Sequence, residues 1–204
     1  MNSIAKRLVD IVISGSLLIV VSPLMLLIAL AIYLNTGRPV LFRQTRPGYR
    51  GEPFTLFKFR TMRDAWDTQG LFLPDGERLT PIGKFLRQLS LDELPQLWNV
   101  IRGNMSLVGP RPLLMQYMNR YTGEQLRRHY MKPGMTGWAQ IHGRNAMTWP
   151  ERFALDLWYV DHWSLTLDFW IILRTPWKIV TRNGIAQQGH VAMPEFLGSE
   201  HSKR

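Results

Sequence analysis

The sequence predicts a mixed α/β protein, predominantly helical, with one compact domain behind an apolar N-terminal segment. Three observations predict it. Residues 11–34 carry no formal charge and are interrupted near their centre by Ser22-Pro23. Two short β-like runs, 40–45 and 54–61, flank a turn-rich stretch. Helical periodicity then marks 94–101 and a tryptophan-rich stretch over 151–181. The expected units are a membrane segment over 1–36, a catalytic domain over 37–186 and a weakly ordered tail over 187–204.

Composition limits the partners. The chain has 204 residues, 25 Lys+Arg against 15 Asp+Glu, a net charge of +10 and no cysteine. Disulfides, thiolate metal sites and a cysteine nucleophile are excluded. The charge favours anionic partners such as nucleic acid, anionic lipid or phosphorylated metabolites. Residues 1–50 carry six basic and one acidic side chain, residues 51–150 thirteen and eight, and residues 151–204 six of each. The anion-binding surface is therefore expected in the first three quarters. The basic residues are dispersed and no zinc-finger or RNP-type signature accompanies them, so nucleic acid is not an expected partner.

The apolar segment is long enough to cross a bilayer, and it also resembles a signal peptide, although no small-residue cleavage site follows. Its flanks favour a third reading. Lys6 and Arg7 precede it, while Arg38, Arg43, Arg46 and Arg50 follow. If both flanks obey the positive-inside rule, the segment leaves by the face it entered. A proline removes a helical donor and clashes one turn back. A re-entrant helix–break–helix bent at Ser22 and Pro23 is therefore expected.

The stretch Arg46-Pro47-Gly48-Tyr49-Arg50-Gly51 should turn the two β-runs into a hairpin. Alternation puts Phe57 and Phe59 on one face of the second run, and Lys58 and Arg60 on the other, a pattern that an ordinary strand with one solvated face explains equally well. Residues 64–75 are polar and end in a Pro-Asp-Gly turn. Thr80 and Pro81 then read as N-cap and first residue of a helix reaching about Leu89. Next, Ser90-Leu91-Asp92-Glu93 fits a capping box opening a helix with Leu94, Leu97, Trp98 and Ile101 on its apolar face. Asp92 and Glu93 would cap that first turn. The same position would keep Asp92 ionised, ready to act as a nucleophile or metal ligand. Arg87 lies five residues earlier, within reach of a carboxylate or phosphate.

Two Gly/Pro-rich stretches follow. Gly109-Pro110-Arg111-Pro112 mounts an arginine between prolines. Residues 133–145, with little helix or strand tendency, end near Arg144. Each reads as a connector or as an anion-binding loop. Trp158, Trp163, Trp170 and Trp177 follow, the last three seven residues apart, with Asp156, Asp161 and Asp168 interleaved. Two interfacial amphipathic helices near 151–162 and 166–181 are expected, although core aromatics would give a similar pattern. Phosphate-loop, dinucleotide, HExxH and GxSxG motifs are absent from the sequence, as is Asp-x-Asp.

The stretch LSLDELPQLWNVIRGNMSLVGPRPL at 89–113, with KFRTM at 58–62 and PGMTGWAQIHGRN at 133–145, resembles the bacterial sugar transferases. It is most similar to the small monotopic phosphoglycosyl transferases typified by the bacillosamine transferase of Campylobacter. The resemblance covers essentially the whole chain, including the Ser-Pro break and the GHVAMPEF tail. Larger relatives carry extra spanning helices at the N-terminus. One departure is Asn104, where relatives often have Asp.

The resemblance implies transfer of a phospho-sugar from a UDP-sugar to a polyprenyl phosphate, normally undecaprenyl phosphate, with release of UMP. Asp92 would be the nucleophile of a ping-pong reaction. Glu93 would orient it or accept a proton. Mg²⁺, held partly by Asp92, would neutralise the diphosphate. Lys58, Arg87, Pro110, Arg111, Pro112, Arg144 and Asp168 match substrate-binding positions. Ser22 and Pro23 match the membrane re-entry. The expected location is the cytoplasmic face of a bacterial inner membrane, among anionic lipids, with a homodimer left open. A metal-dependent glycosyltransferase releasing UDP and a non-enzymatic basic membrane adaptor are the alternatives.

Overall fold

The computed structural model describes residues 3–143, 147–181 and 195–198. The elements run α1 (Ile4–Thr36), β1 (Leu41–Pro47), β2 (Pro53–Phe59), α2 (Asp75–Arg78), α3 (Pro81–Gln88), α4 (Gln96–Ile101), β3 (Ser106–Val108), α5 (Gly123–Leu126), β4 (Gly134–Thr136), α6 (Trp138–His142), α7 (Trp149–Asp161) and α8 (Leu165–Val180). The predominantly helical expectation holds. Strands β1 and β2 form the expected antiparallel hairpin, with Leu41 opposite Phe59 and Pro47 opposite Pro53. A parallel pair, β3 and β4, was not foreseen.

The apolar N-terminal segment is one helix, uninterrupted at Ser22 and Pro23. The break expected there is not a gap in secondary structure, and the Ser-Pro pair explains why. Pro23 has no N–H to give the carbonyl four residues back, that of Ile19. The Ser22 hydroxyl donates to that same carbonyl at 2.9 Å. The orphaned acceptor is thus satisfied from within the helix. The helix ends at Gly37, which takes a left-handed φ of 73° and donates to Tyr33 O.

At 33 residues, α1 is about 50 Å long, more than the ~30 Å of a bilayer core. Yet both of its ends pack on the same domain. At the start, Lys6, Asp10 and Ser14 are buried. Lys6 Nζ meets Asp168 at 2.5 Å and donates to Val108 O, while Asp10 accepts from Ser106 Oγ and Leu107 N. Arg7 donates to Val100 O and Ile101 O, the C-terminal carbonyls of α4. Lys6 and Arg7, expected as a positive-inside flank, are therefore used inside the protein. Towards the other end, Ile28 and Ile32 pack against Phe59 and Leu86. Between these contacts Ile13, Leu18, Val21 and Met25 also pack against the domain, while Val12, Ile19, Val20, Leu26 and Leu27 on the other face are exposed.

The main core joins Phe54 and Leu56 of β2 to Leu97 and Val100 of α4, Leu107 and Val108 of β3, Tyr159 of α7 and Ile171 of α8. Phe59 projects to the opposite side, into the cluster with Ile28 and Ile32. Both faces of β2 are thus covered at its end. Lys58 lies on the face of Phe54 and Leu56 rather than on a solvated one. Asn99 of α4 fixes the strand: its Oδ1 accepts from Phe57 N and its Nδ2 donates to Thr55 O. One side-chain amide thus substitutes for a missing strand neighbour.

Several local expectations are revised. Thr80 caps α3 as expected, accepting from Gly83 N. Ser90 does not cap: it adopts a left-handed backbone with φ of 56°, and a 3₁₀ turn over Leu91–Glu93 precedes α4. Residues 134–136 and 138–142, expected as loop, form β4 and α6. Trp163 lies before α8, not on a face shared with Trp170 and Trp177; its Nε1 donates to Asp168. Trp170 and Trp177 are exposed. Of the tail expected to be weakly ordered, residues 195–198 are described, and Phe196 is buried in a cluster with Tyr117 and Phe153.

The Lys6–Asp168 pair anchors the start of α1, and removing one partner leaves an unpaired buried charge. Lys6→Met should cost about 3–5 kcal/mol of stability, with partial recovery in Lys6→Met/Asp168→Asn. Thermal unfolding in detergent micelles measures both, and an unchanged melting temperature in Lys6→Met would contradict the anchor.

Candidate active site

Three segments converge on one carboxylate pair. Strand β2 contributes Lys58, the 3₁₀ turn contributes Asp92 and Glu93, and the rigid 109–112 loop contributes Arg111. Arg111 grips Glu93 with a two-pronged contact, Nη2 to Oε1 at 2.6 Å and Nη1 to Oε2 at 3.3 Å. Lys58 Nζ donates to Glu93 Oε1 at 2.6 Å and stands 4.0 Å from Asp92 Oδ2. Lys58 thus brings a charge to the site from the same face of β2 that sends Phe54 and Leu56 into the core. Arg87 approaches from α3, its Nε donating to Thr61 Oγ1 at 3.0 Å.

This arrangement explains why the capping box fails. Its glutamate would have to reach back to the Ser90 backbone. Arg111 and Lys58 hold that carboxylate instead.

The loop carrying Arg111 is mounted by close backbone contact. A Cβ on Gly109 would lie 2.4 Å from Lys132 O, and one on Gly134 would lie 2.1 Å from Gly109 N. Only glycine admits that approach, which lets Gly109 N bond Thr136 O and Gly134 N bond Pro110 O. The glycines of the 133–137 stretch therefore serve chain packing behind Arg111. Arg128 adds a second support. Buried itself, it donates from Nη2 to Arg111 O at 2.7 Å and bonds Asp156 Oδ2 through Nε and Nη2.

The two acids occupy opposite electrostatic states. Burial would raise Glu93, but the charges and hydrogen bonds of Arg111 and Lys58 outweigh it and hold Glu93 far below the ordinary carboxylate range. Asp92 is pushed up to about 6, first by burial and then by the Glu93 charge, against the pull of Lys58, Arg87 and Arg111. This reverses the expectation of an Asp92 stabilised as the anion by a helix terminus. Adjacent carboxylates with separated proton affinities suit a division of roles. Glu93, so firmly ionised, is a poor proton acceptor and a good organiser of cations. Among the described residues, the Asp92 carboxylate makes no hydrogen bond and its one ion pair is the 4.0 Å approach of Lys58. It is the uncommitted carboxylate.

The other expected positions divide. Lys58, Arg87 and Arg111 gather with the acid pair, and Pro110 and Pro112 flank Arg111. Arg144 lies outside the described residues. Asp168 is elsewhere in role: Lys6, Tyr159 and Trp163 all donate to its buried carboxylate. The supports Asn99, Arg128 and Asp156 were missed. Nothing in local spacing marks them, because their contacts join residues 17 to 44 positions apart.

Mg²⁺ prefers oxygen ligands and commonly uses one or two carboxylates together with substrate phosphates. The uncommitted carboxylate of Asp92 fits that habit. Among the described residues no group of three or more His, Asp or Glu forms an all-protein cage.

An acid pair ringed by a lysine and arginines is a site suited to an anionic ligand, and the long helix α1 carries an exposed apolar face. The chain belongs to the bacterial sugar transferase family, whose model matches residues 1–182. It is 53% identical to the uncharacterized sugar transferase EpsL of Bacillus subtilis (strain 168), over 96% of this chain and 97% of that protein. It is 43% identical to the UDP-glucose:undecaprenyl-phosphate glucose-1-phosphate transferase of Escherichia coli (strain K12), over 87% of this chain and 40% of that enzyme. The undecaprenyl-phosphate galactose phosphotransferase of Salmonella typhimurium is 37% identical, over 88% of this chain and 41% of its own length. The chain thus spans about two fifths of these two enzymes.

The raised Asp92 has a consequence for stability. The folded chain binds more protons than the unfolded one between the ordinary 3.8 and about 6, so stability falls as pH rises through that window. Asp92→Asn should melt higher than wild type at pH 7.5 in the presence of chelator, and the gap should close near pH 3.5. A variant less stable than wild type at pH 7.5 would contradict the assignment.

Proposed function

We propose that this protein is a phosphoglycosyl transferase that moves a phospho-sugar from a UDP-sugar to a polyprenyl phosphate and releases UMP. The observation that carries the proposal is the uncommitted Asp92 beside a Glu93 locked by Lys58 and Arg111. The names of the Escherichia coli and Salmonella relatives, which give undecaprenyl phosphate as acceptor, support the reaction class.

In the first step an Asp92 oxygen attacks the phosphorus that bears the sugar. The bond from that phosphorus to the UMP oxygen breaks, and UMP departs. In the second step a phosphate oxygen of the polyprenyl phosphate attacks the same phosphorus and displaces Asp92. The product is a polyprenyl diphosphate sugar, and Asp92 is regenerated. Splitting the transfer lets one site serve a soluble donor and a lipid acceptor in turn. Lys58, Arg87 and Arg111 face the diphosphate charge. Glu93 keeps the two cations nearest it in place before substrate arrives, a case of electrostatic preorganisation. Mg²⁺, held by Asp92 and the substrate phosphates, would add charge neutralisation to that set.

The same reading places α1 in the membrane as a re-entrant helix. Both of its ends pack on one domain, which supports entry and exit by the same face. The exposed face of its middle, with Ile19, Val20, Leu26 and Leu27, would enter the hydrocarbon. Phe169, Trp170, Leu173 and Trp177 give α8 an exposed apolar stripe that would lie in the interface, near anionic headgroups. The cytoplasmic face of a bacterial inner membrane is the matching location, since that leaflet meets the nucleotide sugar.

Two experiments test the proposal. Purified protein given UDP-sugars, Mg²⁺ and undecaprenyl phosphate should release UMP, and Asp92→Asn should lose turnover. Release of UDP, or an active Asp92→Asn, would contradict it. Single cysteines at Ser3 and Gly37 should label from the same side of sealed vesicles, and opposite-side labelling would exclude re-entry.

A further inference from the structure

We propose that the C-terminal segment is part of the active site's support: Phe196, latched by Glu195, wedges an aromatic box that positions Arg111. The match to the family model ends at residue 182, so the segment lies beyond it.

Phe196 is 2% exposed. Its ring centroid lies 5.1 Å from Phe153, 5.4 Å from Trp149, 5.6 Å from Tyr117 and 5.8 Å from Tyr121. Polar bonds fix the wedge at its rim. Phe196 N donates to Tyr117 OH, and Arg120 Nη1 donates to both Phe196 O and Glu195 Oε1. Gln116 Nε2 also donates to Glu195 Oε1.

Two routes lead from the box to the acid pair. Leu113, two residues after Arg111, packs in the same cluster as Phe196 and Phe153. Tyr121 and Phe153 also seat Arg128, whose guanidinium lies 5.9 Å from each ring centroid. Arg128 donates to Arg111 O, and Arg111 grips Glu93. Withdrawing Phe196 would hollow the wall that holds Arg128 and Leu113. The 109–112 loop would loosen, and with it the bidentate contact whose geometry depends on that loop. Phe196 and Glu195 are positioning residues in this scheme, touching no substrate.

The activity arm of the test rests on Asp92, Glu93 and Arg111 forming the reactive site, and a second arm does not. Full-length Phe196→Ala should raise amide hydrogen exchange in peptides covering 111–121 and 126–131. Peptides from α1 and α8 should not change. Glu195→Gln leaves the core filled and should raise exchange in the same peptides to a smaller degree, which keeps the test valid if Phe196→Ala does not fold. In turnover, Phe196→Ala should lower kcat/KM by ~10-fold, and Phe196→Leu should recover most of it. Adding Phe196→Ala to Arg111→Lys should cost under ~2-fold more, because both act on one contact. Exchange unchanged near Arg111, or raised evenly along the chain, overturns the proposal. So does full multiplication of the two activity losses. Local exchange changes in a protein that releases no UMP would retain the latch and reject the reaction.

Discussion

Two carboxylates adjacent in sequence and withdrawn from water cannot both stay charged unless cations are brought to them. That constraint organises this protein. Glu93 takes Arg111 and Lys58 as direct partners, and Asp92 is left with a distant lysine and a raised proton affinity. Each partner then needs its own mount. Asn99 holds β2 and so Lys58. The Gly109–Gly134 approach and Arg128 hold the loop of Arg111. Much of the polar interior between α4, β2 and α7 exists to place those two cations.

The proposed function sets a second constraint: a lipid-linked phosphate would have to reach the site from an apolar phase, and an amphipathic surface at headgroup depth would meet it. Helix α1 is tied down near both ends, by Lys6 and Asp10 at one and by Ile28 and Ile32 at the other. Ser22 and Pro23 then have a different value from a simple helix breaker. The hydroxyl satisfies the carbonyl that the proline abandons, so the chain can bend without exposing an unpaired acceptor to hydrocarbon.

Much of this was legible in the sequence. The hairpin, the two late helices and the grouping of Lys58, Arg87, Arg111 and the acid pair all followed from turn residues, periodicity and motif resemblance. The misreadings share a cause. Ser90 and Glu93 fit a capping pattern three residues long, but the glutamate's partners lie 18 and 35 positions away. The bond from Lys6 to Asp168 spans 162 residues and was equally invisible to local pattern. Phe196 belongs to a stretch marked only by resemblance, and its place comes from four aromatic rings and the Arg120 side chain elsewhere in the chain. Local propensity is outweighed wherever a buried charge or ring finds a better partner across the chain.

The most direct test of the central claim is a single-turnover reaction without acceptor. Protein mixed with excess UDP-sugar and Mg²⁺ is quenched, and released UMP and intact protein mass are measured together. The expected result is a burst of UMP approaching one per active site, with a matching phospho-sugar adduct that maps to Asp92. Release of UMP only after polyprenyl phosphate is added, with no adduct on the protein, would contradict an aspartyl intermediate and leave Asp92 without its proposed role.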